Sequence, residues 1–306
     1  MRWVPNIFEA PTEQLQMAVI MFHKKRKVIL LIFIALFGII CINVVIKARK
    51  SYESITIENE DQLAEAINDL MIRRAAGFDI SFKAYTRDEE AVKPLIEELM
   101  TKSIYKNCGP TDGDYIRYQY GGYRMKCSAD KKGFKYLYTV NIRPIYYTSA
   151  LEEGEVDDIL SGILSESDVD MESPDYDKIC FVHGKICEMV EYDSVHKHNP
   201  GSGHIQSTAY GALKYHTALC QGYAVLCYRM LKELGVDCSI VTGKLITENG
   251  EERHAWNKVL LDGQYYNIDV TLDDLNENKD YFLKSDEDFS TDHINEEDDL
   301  NSYDDF

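Results

Sequence analysis

Apolar and polar positions along this 306-residue chain follow three patterns, and each predicts a different element. One stretch, "VILLIFIALFGIICINVVI" from Val28 to Ile46, has no polar face: 19 residues pass without a charge. As a helix, that length crosses a hydrocarbon core of roughly 30 Å. A second pattern repeats at helical spacing. It places Leu63, Ala66, Ile67 and Leu70 on one side of "NEDQLAEAINDLMIRR", and returns in "RDEEAVKPLIEELMTKS". Further on it sets Ile179, Val182, Ile186, Met189 and Val190 along "KICFVHGKICEMVEYD". The third pattern is alternation. "FDISFKAY" reads as a short strand, and two Tyr/Ile/Val-rich runs flank "DKKG" as the arms of a hairpin.

These patterns divide the chain. Residues 1–27 precede the apolar run, and 28–46 are its predicted transmembrane helix. Residues 51–148 read as a small α+β domain and 149–176 as an acidic helix and polar linker ending near Pro174. A second domain spans 177–292, and 293–306 is an acidic tail. From Asp286 to Phe306 acids abound without a Lys or Arg, which predicts a solvated segment. Basic residues flank the apolar run, with Arg2 and "KKRK" before it and Lys47, Arg49 and Lys50 after it. The excess on the N-terminal side predicts a cytoplasmic N-terminus, a single-pass anchor in the cell membrane and an extracytoplasmic C-terminal portion. A cleaved signal peptide fits less well, because "NVVIKARKSY" lacks the small residues of a cleavage site.

Charge and cysteines narrow the function. A net charge of −19 repels a phosphate backbone, so no nucleic acid is expected as a partner. Seven of the eight cysteines lie beyond the apolar run, an odd number, and a reduced, mostly buried set is expected. His196, His198 and His204 in "HKHNPGSGH" have no thiols or acids at ligand spacing, so no metal is assigned and no cofactor is expected.

The candidate chemistry lies in "STAYGALKYHTALCQGYAVLCYRMLKELGV", a turn into an amphipathic helix ending near Gly235. Cys220 falls at its start, where the helix dipole and free backbone N–H groups favour a thiolate. Cys227, two turns further in, and Cys238 are expected to be core residues. Downstream, "HAWNKVLL" and "QYYNIDV" read as antiparallel strands joined at Asp262-Gly263. That hairpin sets His254 and Asp269 on one face as cross-strand neighbours. A carboxylate, an imidazole and a thiol in that order form an acyl-transfer constellation. Asp273 and Asp274 are expected only to shape the following loop.

Together "ALCQGYAVLCYRMLKELGV", "HAWNKVLLDGQYYNIDVTLDD" and "YFLKSDEDF" resemble the bacterial branch of the transglutaminase-like superfamily, from about Asp177 to Asp292. The resemblance implies a papain-like α+β fold, with the cysteine helix packed on an antiparallel sheet. It puts the nucleophile at Cys220, the base at His254 and the acid at Asp269. Leu272 departs from the tryptophan common before the paired acids. Tyr210 and Gln206 are both candidates for the side chain that stabilises the oxyanion, beside the Cys220 backbone N–H. The implied partner is a protein or peptide amide, attacked to form a thioester. Water as acceptor makes the chain a peptidase, amidase or deamidase; a lysine amine makes it a crosslinking enzyme. Many bacterial members are thought to be proteases, which favours hydrolysis. The alternative is a non-catalytic cell-surface binding or scaffold module that retains the fold.

Overall fold

The computed structural model describes residues 44–48, 51–57, 60–196 and 204–296. Two sheets organise them. The first has the order β2-β1-β3-β5-β4, all antiparallel, from β1 (Val44–Ala48), β2 (Ser51–Ile57), β3 (Phe78–Ala84), β4 (Tyr120–Lys132) and β5 (Lys135–Tyr146). Helices α1 (Glu60–Ile72) and α2 (Val92–Ile104) cover it, and Ile67, Met71, Ile96 and Met100 meet Phe78, Ile80, Val140 and Ile142 in one apolar cluster. The strands alternate fully buried and half-buried positions, as a sheet with one face on the core requires. The predicted hairpin is present, but the ladder runs through Lys132–Lys135 and the chain turns at Gly133-Phe134 rather than at "DKKG". Gly133 takes φ 66°, which a side chain would strain.

The expectation of a transmembrane helix over 28–46 needs a correction at its C-terminal end. Val44–Ala48 is a strand, paired with β2 and β3, so the last three residues of the apolar run extend a sheet. A β-branched run such as Val44-Val45-Ile46 suits a strand as well as a membrane helix. Residues 1–43 lie outside the described residues. Among the described residues no helix is long and apolar enough to cross a membrane.

A short helix, α3 (Asp114–Arg117), joins the two halves: Ile116 is buried under the first sheet, Tyr115 in the second core. The segment read as an acidic helix and linker is α4 (Ala150–Ser165). It opens with a capping box of Ser149 and Glu152, and gives Val156 and Leu160 to the second core. Next come α5 (Asp175–Met189), β6 (Glu191–Tyr192), a 3₁₀ turn at Ile205–Ser207, α6 (Ala209–Tyr215), β7 (Thr217–Ala218) and α7 (Cys220–Glu233). The second sheet has the order β10-β9-β8-β11, from β8 (Cys238–Thr247), β9 (Gly250–Leu261), β10 (Gln264–Ile268) and β11 (His293–Asn295). Helices α8 (Val270–Asn276) and α9 (Asp286–Phe289) lie between β10 and β11.

Helix α7 is the axis of this half. Every residue from Gly222 to Leu231 is buried, and Asn257 on β9 donates from Nδ2 to the Ala224 carbonyl at 3.0 Å. The one charge within that buried stretch, Arg229, needs to be paired. Arg229 is 3% exposed, bonds Asp157 at 2.6 Å and Glu233 at 2.9 Å, and lies over the Tyr115 ring. The solvated tail expected from Asp286 onward is also corrected, as far as Glu296. Asp286 pairs with Lys258 and accepts from Asn267 at 2.7 Å, Phe289 is buried, and β11 completes the sheet. β11 can lie there because position 243 is glycine: a Cβ would stand 2.0 Å from the Ile294 carbonyl oxygen. Residues 297–306 lie outside the described residues.

Candidate active site

Cys220 is the first residue of α7 and is half-buried. Its approach is fixed by the backbone: Leu219 N–H donates to the Gln206 carbonyl at 2.9 Å, and Tyr223 N–H to the Leu219 carbonyl at 3.1 Å. Gly222 makes this possible, since a Cβ there would meet the Gln206 carbonyl oxygen at 2.3 Å. The sequence "C-Q-G" is therefore a steric requirement of the helix start as well as a chemical one. Gln221 reaches the other way, donating from Nε2 to the Tyr118 carbonyl.

His254 comes from β9 and Asp269 from the residue after β10. In the ladder Asn257 faces Ile268, so Trp256 rather than His254 stands directly opposite Asp269. The expected cross-strand pair is thus a diagonal one, on the same face and within reach of long side chains. The His254 Nε2 to Asp269 Oδ2 distance is 2.5 Å, with His254 8% and Asp269 1% exposed. The remaining ring nitrogen, Nδ1, is not used in that bond, and the Cys220 thiol is near enough to favour the charged form of His254. The structure therefore brings Cys220, His254 and Asp269 together. Asp269 is also the N-cap of α8, where its Oδ1 accepts the Leu272 N–H at 3.2 Å.

Electrostatics follow from the burial. Burial alone would depress the His254 pKa. The Asp269 carboxylate and the hydrogen bonds to Asp269 and Cys220 outweigh it and hold the imidazole well above its usual range. Burial would raise Asp269, but the field and hydrogen bond of His254 and the hydrogen bond of His293 hold it well below the usual carboxylate range. The other thiols have no such partners. Burial pushes Cys187 up to about 12 and raises Cys227 and Cys238, as core residues should be. All seven described cysteines are free.

The two oxyanion candidates separate. Tyr210 is engaged elsewhere, since its hydroxyl donates to Glu155 Oε2 at 3.4 Å, where Lys214 also binds. Gln206 lies against the helix start through its main chain, and its side-chain Oε1 is buried without a hydrogen-bond partner. His196 is held by Asp193 at 2.7 Å and His204 stacks on Tyr147, while His198 lies outside the described residues.

Two features were missed in the sequence. His293, placed there in the tail, is buried and donates from Nε2 to Asp269 Oδ2 at 3.2 Å. Among the described residues, His254, Asp269 and His293 are the group that offers metal-ligand atoms. However, 2.5 Å between two of those atoms is well under the edge of a tetrahedral zinc site, about 3.3 Å for bonds of about 2.0 Å. The spacing is that of hydrogen bonds. Second, Asp273 does more than shape a loop. It is 1% exposed, accepts from His183 Nε2 at 2.9 Å and from Tyr281 N–H at 2.8 Å, and the Tyr281 carbonyl in turn accepts the Asp269 N–H at 3.1 Å. Asp274 bonds Tyr223 of α7 at 2.6 Å. A capped helix start, Ser285 with Asp288 and then Phe289, was the available signal for the missed segment.

Comparison with known proteins fits this geometry. Residues 164–270 match the sequence profile of the transglutaminase-like superfamily. This segment belongs to that superfamily. The human Kyphoscoliosis peptidase is 28% identical over 135 residues, which is 42% of this chain and 19% of that protein. The chain thus matches about a fifth of that relative's length. A solved transglutaminase (TGase) is 15% identical with a TM-score of 0.35, covering 62% of this chain and 50% of its own. A candidate cysteine protease from Cytophaga hutchinsonii is 12% identical with a TM-score of 0.32, covering 56% and 65%. Scores this low carry no weight beside the superfamily match.

Two consequences are measurable. Asp273→Asn leaves one of two buried donors, His183 or Tyr281 N–H, facing an amide NH₂, so it should lower unfolding free energy by about 1–3 kcal/mol in urea titration. The His254–Asp269 pair should show a pH window. Asp269, its pKa lowered, contributes stability above its unfolded value of about 3.9 and loses it as pH falls through the folded value. His254, its pKa raised, contributes below about 6.5 and loses it as pH rises through the folded value. The urea-midpoint difference between the parent and His254→Gln should be largest between about pH 4 and 6.5 and shrink in alkali.

Proposed function

We propose that this chain is a transglutaminase-like cysteine enzyme acting on protein or peptide amides through a thioester, with hydrolysis favoured over crosslinking. The observation that carries the proposal is the buried His254–Asp269 pair, which favours the charged imidazole, together with the Cys220 thiol at the start of α7 that adds to the same shift. The proton of the Cys220 thiol is held on His254 Nδ1, in an imidazolium that Asp269 stabilises, and the thiolate attacks the amide carbonyl carbon. The tetrahedral oxygen accepts from the Cys220 backbone N–H and from the Gln206 side-chain amide. Gln206 is preferred over Tyr210 because the Tyr210 hydroxyl is committed to Glu155. His254 returns its proton to the leaving amine, and the C–N bond breaks to give the thioester. A water, deprotonated by His254, then attacks the thioester and frees the acid and the thiol. The name of the human relative, a peptidase, supports water as the acceptor.

The proposal keeps the membrane anchor predicted over 28–46, with the remainder of the chain outside the cell; the strand at Val44 leaves it residues 28–43, just under the usual ~17–25, so the flanking basic side chains complete the span by snorkelling. Its support is the uncharged run and the "KKRK" in front of it. Protease added to intact cells should then degrade residues beyond the anchor and spare the N-terminus; a protected C-terminal half would sink this placement.

The chemistry is tested on glutamine-containing peptides, with melting temperature as the folding control. Cys220→Ala should abolish turnover. Asp269→Asn should lower kcat by orders of magnitude, about 10⁴-fold in the equivalent serine-triad change. If the parent turns over no amide substrate and Cys220 alkylates no faster than Cys227, the scaffold reading replaces the enzyme.

A further inference from the structure

Asp269 Oδ2 accepts two imidazole N–H groups, from His254 at 2.5 Å and from His293 at 3.2 Å. Only the first belongs to the acyl-transfer set. The second ring is built in with equal care. His293 Nδ1 faces Asp292 Oδ1 at 2.6 Å, and Asp292 Oδ2 accepts the Tyr281 hydroxyl at 2.7 Å. Phe289 stacks on the ring at 3.8 Å between centroids, and Trp256 meets it edge-on at 5.0 Å. The His293 side chain has no exposed surface. Such a ring cannot contact substrate, so any effect on the reaction passes through Asp269.

We propose that His293 is a positioning residue for the acyl-transfer site: its Nε2–H fixes the Asp269 carboxylate and tempers its basicity toward His254. The inference rests on the reading of Cys220, His254 and Asp269 given above. A lone carboxylate at 2.5 Å from an imidazole in a dry site competes for the shared proton. A second donor on the same oxygen draws off part of its charge, so the proton stays on His254 Nε2 and Nδ1 stays aligned with the thiol. The Leu272 N–H on Oδ1 completes the clamp. Removing the second donor leaves the Asp269 charge less compensated, which raises the His254 pKa further. The groups that face this pair are Cys220 on α7, Asp269 before α8, His293 and Asp292 at β11, Tyr281 from the loop between α8 and α9, Tyr192 on β6, and Trp256 on β9.

The geometry offers two near-isosteric variants. In His293→Asn the amide sits where Nδ1 was, so the bond to Asp292 is kept and the bond to Asp269 is lost. In His293→Gln the amide reaches the place of Nε2 and keeps the Asp269 bond. The readout is the rate of Cys220 alkylation by iodoacetamide against pH, followed by mass spectrometry on the full chain, which needs no substrate. The alkaline change in rate, where His254 loses its proton, should move up by roughly half a pH unit or more in His293→Asn and return toward the parent in His293→Gln. A purely structural role would let both variants follow the parent profile, and that result would overturn the inference. If His254→Ala itself left the parent profile unchanged, the acyl-transfer reading would fail instead, so the two failures are distinct. The parent supplies a check that needs no variant. Labelled with ¹⁵N-histidine, it should show three buried Nε2–H protons shielded from exchange, from His183, His254 and His293; absence of the one that His293→Asn removes would also overturn the inference.

Discussion

One buried negative charge organises the second half of the molecule. Asp269 is 1% exposed, and an unpaired carboxylate at that depth would be neutralised or would unfold its surroundings. Everything near it acts as compensation. The start of α8 brings a backbone N–H, β9 brings His254, and β11 brings His293. Three separate elements must therefore meet at one carboxylate. The reactive thiol is the end of that chain of constraints, since the same carboxylate that needs a cation keeps His254 charged beside Cys220.

Glycines decide whether those elements can meet. At Gly222 a side chain would strike the Gln206 carbonyl, and the 3₁₀ turn at Ile205–Ser207 could not lie on the start of α7. At Gly243 a side chain would strike Ile294, and β11 could not bring His293 to Asp269. Both positions show ordinary backbone angles, so the requirement is close approach rather than conformational freedom. Each glycine is a neighbour of the site in space while contributing nothing to its chemistry. The buried network behind them, His183 with Asp273 and Tyr223 with Asp274, then locks α5 and α7 onto α8.

Much of this was legible in the sequence, for reasons that can be named. Asp262-Gly263 is a strong turn signal between two alternating runs, and counting out from it placed His254 and Asp269 on one face. The count could not see that the pairing is diagonal, because that depends on where the ladder starts. Helix α7 was legible from its period, and Cys220 from its place at the end. His293 was hidden by its company. Ten acids in the 21 residues from Asp286 to Phe306 look solvated, and a single Phe289 does not make a period. Its burial depends on Trp256 and Tyr281, contacts that no local pattern records. The run to Ile46 misled in the opposite sense. Apolar, β-branched residues at its end suit either a membrane helix or a sheet, and only the partner strand Ser51–Ile57 decides for the sheet.

The same reasoning bears on how the site should tolerate change. Residues that hold Asp269 are charged or polar and buried, so their loss leaves a desolvated partner behind, whereas the apolar wall around them repacks. Phe289 can exchange for another large apolar residue with little effect on the carboxylate, provided the stack on His293 survives. Asp292 cannot be treated so freely. It fixes the His293 ring through Nδ1 and takes the Tyr281 hydroxyl, and Tyr281 also carries the backbone bond to Asp269. The acids from Asp269 onward thus fall into two sets. Those on the surface, such as Asp286 with Lys258, lie away from the thiol. Asp273, Asp292 and Asp269 form a closed circuit through Tyr281, in which each carboxylate positions the next group toward the thiol.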